Sequence, residues 1–495
     1  MTADAPTRAQ TPWRRLDRRM LVVGPLGSLG RLLPLVAILL ITGGGADPVR
    51  LGVAAVAAVA VVLAGVTRWR TTRYRITGDR VELHSGLLRR QRRSVPRDRI
   101  RTVDLTAPLL HRVFGLAVVQ VGAASGSPQE SAGLSLDAVS KAESDRLRRE
   151  LLDRSLAVEL ESPTPGQLLA RLHWSWLRFA PLTFSAVAGV GAIGATLFNL
   201  VDDLGIDPRD IGAVGAAADR LTRTPIWAGV LVVVVVLLAL SSTGALLFYA
   251  ERWYDYRLSR EADGTLRVRR GLLTRRSLSV SEQRLRGAEV SEPLLLRAGR
   301  GGQCRALSTG LSRDAQGGAL QPPAPLAEAH RVASAALREP PWEITGAPLR
   351  RHPVAARTRR LTRTLAPAAV LAAALGVVGV VVSPLGWLGL LLLPAALLLG
   401  LDRYRNLGHE LTARHLVSRQ GSVVRRTVAL RRDGVIGWRM RQSPFQRRAG
   451  VVTVEAVTAA GQGGYTVLDV AATDGVALVD ATTPDLLRRF RVSTD

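Results

Sequence analysis

The sequence predicts membrane α-helical hairpins, six spans in three pairs, carrying three β-rich modules that are each a curled antiparallel sheet with a C-terminal helix. Three observations predict it. Apolar blocks alternate with charged stretches along 495 residues that are 47% hydrophobic and 22% charged, a mixture that suits several domains in and beside a membrane better than one globule. One pattern of residues recurs three times, each time just after an apolar region. Inside the charged stretches the hydrophobic pattern changes to the alternation of half-buried strands.

The recurring pattern is a glycine turn, a basic strand, an alternating strand, and then Pro-apolar-x-x-Arg. In the first copy it runs Gly86-Leu87-Leu88-Arg89-Arg90-Gln91-Arg92-Arg93-Ser94-Val95-Pro96, then Val103 to Pro108 and Arg112. In the second it runs Gly271-Leu272-Leu273-Thr274-Arg275-Arg276-Ser277-Leu278, then Ala288 to Pro293 and Arg297. In the third, Gly421 to Leu430 holds Arg425 and Arg426, and Val435 leads to Gln442-Ser443-Pro444-Phe445-Gln446-Arg447-Arg448. Such self-similarity fixes the unit of construction. The three-fold pattern resembles the YdbT-like bacterial membrane proteins that carry pleckstrin-homology-like (PH-like) domains. The run from Gln442 to Arg448 is its most specific part, and Glu292 to Arg297 the most divergent. The resemblance covers most of the chain. It implies the PH-like fold for each module and a membrane location, and brings no catalytic residues.

In chain order, 1–31 reads as a disordered cytoplasmic tail and 32–67 as the first hairpin, with apolar segments 32–46 and 51–66. The first module is 68–160: a hairpin from Tyr74 to His84, strands over 99–105 and 116–121, and a closing helix over 137–152. Residues 161–252 hold the second hairpin, with spans 179–200 and 226–250. The second module, 253–340, ends in a helix over 326–337. The third hairpin, within 341–402, has spans 366–383 and 384–401, broken at Ser383-Pro384. The third module, 403–495, has strands at 451–457 and 465–470 and late helical turns ending near Phe490.

Arginines set the orientation. Arg68, Arg70, Arg73 and Arg75 follow the second span, Arg359, Arg360 and Arg363 precede the fifth, and Arg403 and Arg405 follow the sixth. The loop 201–225 instead carries Asp202, Asp203, Asp207, Asp210 and Asp219. Both termini and all three modules therefore face the cytoplasm of an inner-membrane, multi-pass protein.

The net charge of +27 is almost wholly arginine, Lys141 being the only lysine. Genome-wide base composition explains the choice of arginine. Attraction to an anionic leaflet, worth about 1 kcal/mol per basic residue near the surface, is the functional reading of the excess. No nucleic-acid motif accompanies the charge, so no nucleic-acid partner is expected. The lone Cys304 excludes an intramolecular disulfide and any CxxC motif, and reads as a buried small side chain. Gly189-Val190-Gly191-Ala192-Ile193-Gly194 matches a dinucleotide fingerprint but lies inside a span, where small residues serve helix packing. His409-Glu410 lacks the second histidine of HExxH, the next being His415. No metal, cofactor or catalytic residue is expected, and the protein reads as a non-enzyme.

The paired arginines Arg92/Arg93, Arg275/Arg276 and Arg425/Arg426 are the candidate contacts to a lipid headgroup or a partner. The competing reading is a charged edge strand that blocks sheet-to-sheet association. Arg112, Arg297 and Arg448, closing the Pro-apolar-x-x-Arg motif, read as caps on loop carbonyls. The expected function is a membrane-tethered binding or scaffold protein with membrane lipids and a protein as partners. The alternative is a transporter or export accessory factor, against which the spans carry no ionisable residue in their middles.

Overall fold

A computed structural model describes residues 12–28, 48–77, 79–86, 91–96, 100–123, 134–152, 166–183, 225–309, 318–341 and 343–484. Two compact units divide the chain, 1–281 and 282–495, and the division falls inside the second repeat.

In the first unit, β1 (Arg14–Arg15) precedes helix α1 (Pro48–Thr71), and β2 (Arg73–Ile76), β3 (Arg80–Ser85) and β4 (Gln91–Pro96) follow. They form an antiparallel sheet in the order β1-β2-β3-β4. Then come β5 (Ile100–Ala107), the short α2 (Leu109–Val113), β6 (Leu116–Ala123), β7 (Leu134–Ser140) and α3 (Lys141–Leu152). Tyr74, Val81 and Leu83 from the first sheet, Val103, Leu116 and Leu136 from the next, and Leu147 of α3 share one core. Strands of two antiparallel sheets and a covering helix thus enclose one core in the first repeat.

Two expectations are corrected here. The tail is not wholly disordered: Leu16, Met20 and Val23 are buried in the first core, and Trp13 lies against His84 with Arg75 over its ring. Those apolar residues sit at helical spacing, hidden among arginines. Residues 137–140 belong to β7 and not to the closing helix, because the alternation that buries Leu134, Leu136 and Ala138 extends through them.

The first unit continues with β8 (Gln167–Arg171), α4 (Ile226–Trp253), β9 (Arg257–Arg260), β10 (Thr265–Arg270) and β11 (Arg275–Ser281). Its large sheet runs β7-β6-β5-β11-β10-β9-β8. The C-terminal strands of the first repeat thus pass without a break into the N-terminal strands of the second. The picture of three self-contained sheets is corrected accordingly.

The second unit repeats this joint. It contains β12 (Leu285–Pro293), α5 (Leu294–Ala298), β13 (Gly301–Ser308), β14 (Ala324–Pro325) and α6 (Leu326–Leu337). Helices α7 (Val354–Val381) and α8 (Leu392–Arg405) lead to β15 (Gly408–Leu411), β16 (His415–Gln420) and β17 (Val424–Arg431). These strands make a sheet in the order β14-β13-β12-β17-β16-β15. Last come β18 (Gly437–Arg441), α9 (Pro444–Arg448), β19 (Val451–Val457), β20 (Gly464–Ala471) and α10 (Ala472–Thr482), with a sheet β18-β19-β20. Leu416, Val428 and Leu430 pack with Ala456, Val467 and Leu478 in the third repeat's core.

One backbone device marks all three repeats. After each short helix a left-handed residue, Gly115, Arg300 or Gly450, turns the chain. Its carbonyl then accepts from the first residue of the closing helix: Lys141, Leu326 or Ala472 respectively.

Among the described residues, three helical stretches are long and apolar enough to cross a membrane: Trp227–Trp253, Val354–Val381 and Pro384–Arg405. The last two pair closely through glycines; a Cβ on Gly386 would stand 2.3 Å from the Gly379 nitrogen, and one on Gly400 2.5 Å from Thr364 Oγ1. Helix α1 covers the second expected span. The first expected span and most of the third lie outside the described residues, as do the loop 201–224, the glycine run 189–194 and Phe490. Trp174–Phe179, which lead up to the first residue of the third, form a 3-10 turn.

Candidate binding edges of the repeats

The joint between the second and third repeats is a strand pair with charges facing across it. Its register sets Arg425 opposite Glu292, Arg426 opposite Ser291 and Leu430 opposite Gly287. Arg425 Nε donates to Glu292 Oε1 at 2.8 Å, its Nη2 donates to Oε2, and the Glu292 side chain is 2% exposed. Arg426 pairs with Glu289 at 3.7 Å. The motif arginine joins in: Arg297 Nη2 donates to Asp402 Oδ2 (2.9 Å), which also accepts from Ser422 Oγ (2.6 Å). Fork geometry and burial make such pairs strong and directional. The close approach needs Gly287, where a Cβ would lie 2.2 Å from the Ala429 carbonyl oxygen.

The first joint follows the same plan with fewer acids. Arg275 lies opposite Ala107, Arg276 opposite Thr106 and Leu278 opposite Asp104. Burial raises the Asp104 carboxyl above its ordinary range, against the pull of Arg276 and Arg270. Arg270, its guanidinium carbon 4.2 Å from the centre of the Trp253 ring, is pushed down to about 9, first by burial and then by Arg252 and Arg276. Arg112 Nη1 caps the Leu272 carbonyl at 2.9 Å, and the Gly271 and Leu272 amides donate to Tyr254 and Glu251 at the end of α4. The hairpin tip therefore seats on the foot of an apolar helix.

The arginine pairs picked out by sequence are not equivalent. Ser85 pairs Gln91, as Arg270 pairs Arg276 and Gln420 pairs Arg426. Gln91 is thus the counterpart of Arg276 and Arg426, and Arg92/Arg93 correspond to Ser277/Leu278 and Thr427/Val428. Arg92 and Arg93 are exposed on β4, an outer strand of its sheet among the described residues. A similar shift affects the closing arginine of the third motif. Gly115, Arg300 and Gly450 donate to the carbonyls of Arg112, Arg297 and Arg447, so Arg447, not Arg448, is the counterpart.

The Gln442-to-Arg448 run is held by its own network. Ser443 and Gln446 form a capping box. Gln446 Nε2 donates to Asp469 Oδ1 (2.8 Å) and to Thr453 Oγ1 (2.8 Å). Buried Asp469 also accepts from Arg359 Nε (3.1 Å) and Arg360 Nη2 (2.6 Å) at the start of α7. Beside it a cavity of about 230 Å³ is lined by Arg360, Arg403, Arg426, Gln420, Gly421 and Leu468, a basic cradle at the feet of α7 and α8 able to take an anion. Sequence reasoning missed Glu289, Glu292 and Asp469; the acid before Pro293 was the available signal. Cys304 is fully buried, and burial raises its thiol. His409 Nδ1 lies 3.1 Å from His352 Nε2, and among the described residues no group of three or more His, Cys, Asp or Glu could hold a metal.

A family model described as a bacterial PH domain matches the chain three times, at residues 27–155, 206–339 and 366–484. The chain belongs to the bacterial PH domain family. Its three PH modules are the repeats described above, and each match begins in or before the apolar segment that leads into the strands. The chain is also similar to the UPF0699 transmembrane protein YdbT of Bacillus subtilis (strain 168), at 22% identity over 408 residues, 80% of this chain and 81% of that protein. No solved structure matches it significantly. With its apolar helices, this is a membrane protein with repeated PH domains.

Proposed function

We propose that this protein is a membrane-tethered scaffold that binds protein or anionic-lipid partners through its PH modules. The observation that carries the reading is the pair of joints β5–β11 and β12–β17, in which PH edges already serve as docking strands. Both joints stand at the feet of apolar helices whose ionisable residues lie towards their ends, which favours anchoring over conduction. The cradle of Arg360, Arg403 and Arg426 adds a place for a lipid phosphate. In this reading six spans form three hairpins in the inner membrane, the modules and both termini face the cytoplasm, and no catalytic step is assigned.

The test is purification in membrane-derived nanodiscs. A stoichiometric protein, or anionic lipid retained through exchange into neutral lipid, is expected. Loss of both, together with solute flux in reconstituted vesicles, would replace the scaffold by a transporter. Reporters fused after Asp495 and within 202–219 should report opposite sides; equal signals would overturn the topology.

A further inference from the structure

The two joints inside the chain define a docking strand that the third PH module also possesses. Four residues before the cap of each short helix stand Asp104, Glu289 and Arg439, paired across the sheet with Gln120, Arg305 and Glu455. In the same alignment Thr106 and Ser291 become Arg441, Ala107 and Glu292 become Gln442, and Gly287 becomes Gly437. In the first two modules this strand receives the arginine-bearing strand of the next repeat. In the third it is β18, an outer strand of its sheet among the described residues. A Cβ on Gly437 meets nothing within 4 Å among the described residues, whereas one on Gly287 meets the docked strand. Arg439 and Arg441 are 54% and 65% exposed and share the single carboxylate of Glu455, with Ile436 and Phe445 exposed nearby.

The charge of the edge is therefore reversed: acid in the first two modules, arginine in the third. A strand of the β11 or β17 type, with its paired arginines, is repelled. So is β4 of a second copy, which presents Arg92 and Arg93. Charge reversal of this kind ends a series of like modules while leaving the backbone edge open.

We infer that the outer edge of β18 receives, by strand addition, an extended segment of a different polypeptide. That segment carries carboxylates where β11 and β17 carry arginine. The inference rests on the scaffold reading and names its protein-binding edge.

The probe is a fluorescent peptide with the sequence of residues 421–431 and the substitutions Arg425→Glu and Arg426→Glu, titrated onto the full chain in neutral-lipid nanodiscs. It should bind at least tenfold more tightly than the unsubstituted peptide. Gly437→Val, whose side chain enters open space, should leave the melting temperature unchanged and abolish binding. Arg439→Glu with Arg441→Glu should invert the preference between the two peptides. Equal binding of both peptides, or binding untouched by Gly437→Val, overturns the inference. So does wild-type self-association that Gly437→Val dissolves, since the edge would then hold a second copy. A chain that keeps its co-purifying partner but fails the peptide tests leaves the scaffold reading standing and removes β18 from it.

Discussion

Arg425 of the third PH module grips Glu292 of the second through both ends of its guanidinium fork, Nε lying 2.8 Å from Oε1, with the carboxylate almost wholly buried. The pair fastens two repeats separated in sequence by the α7–α8 hairpin. Because Glu292 is the more deeply buried partner, deleting Arg425 strands a charge with no solvent to turn to.

Arg425→Ala is therefore expected to cost about 3 kcal/mol of stability, more than Glu292→Ala, whose orphaned arginine reaches water. Denaturant unfolding of the two single variants and the double variant should give a coupling of at least about 1 kcal/mol. Additive costs would show that the pair does not fasten the joint.

Gly287→Val drives a Cβ into the Ala429 carbonyl and should cost about 1–3 kcal/mol by overpacking. The loss should appear as faster amide exchange in β12 and β17, with β19 and β20 unaffected. Unchanged protection in β17 would mean that the joint accommodates the added side chain without opening.

Asp469 sits at φ +54, a left-handed conformation that Asp and Asn tolerate better than Ala. Asp469→Ala removes the acceptor of Arg359, Arg360 and Gln446 and leaves two buried guanidiniums side by side, an expected loss of about 3–5 kcal/mol. Asp469→Asn keeps the backbone preference and an acceptor oxygen, so its loss should be smaller. Equal losses would assign the whole effect to the carboxylate charge, which both variants remove.

Local features were legible. The helix 326–337, the strands at 451–457 and 465–470, and the break at Ser383-Pro384 follow from period and turn chemistry, and lie where expected. The joints were not. Period-2 patterning does not tell a strand that is outermost among the described residues, as β4 and β18 are, from one bonded on both sides, as β11 and β17 are, so periodicity carries no record of its partner. Aligning arginines by identity misplaced Arg92/Arg93 and Arg448, because the true correspondence is fixed by hairpin register and by the left-handed turn after each short helix. Buried partners such as Asp469 are single residues far from the motif they support, and only the fold brings them together.

The buried histidines of the second unit make its stability depend on pH. Burial lowers His330, His352, His409 and His415 below their ordinary value of 6.5. His352 falls to about 4, burial acting first and the neighbouring His409 second, against bonds to the Leu468 and Asp469 backbone and the Asp469 charge. A histidine held neutral in the fold but titrating at 6.5 when unfolded binds more protons in the unfolded state between those values. Its contribution is thus fully present above pH 6.5 and is lost as pH falls through 6.5 towards 4. For His352 the shift corresponds to about 3 kcal/mol. Melts of the full chain at pH 7.5, 6 and 5 should show a steady fall, with proton uptake on unfolding. His352→Asn, which cannot titrate and retains a donor for the Leu468 carbonyl, should lower stability at pH 7.5 and flatten the slope below pH 6.5. A slope as steep as in the wild type would assign the acid sensitivity to other groups.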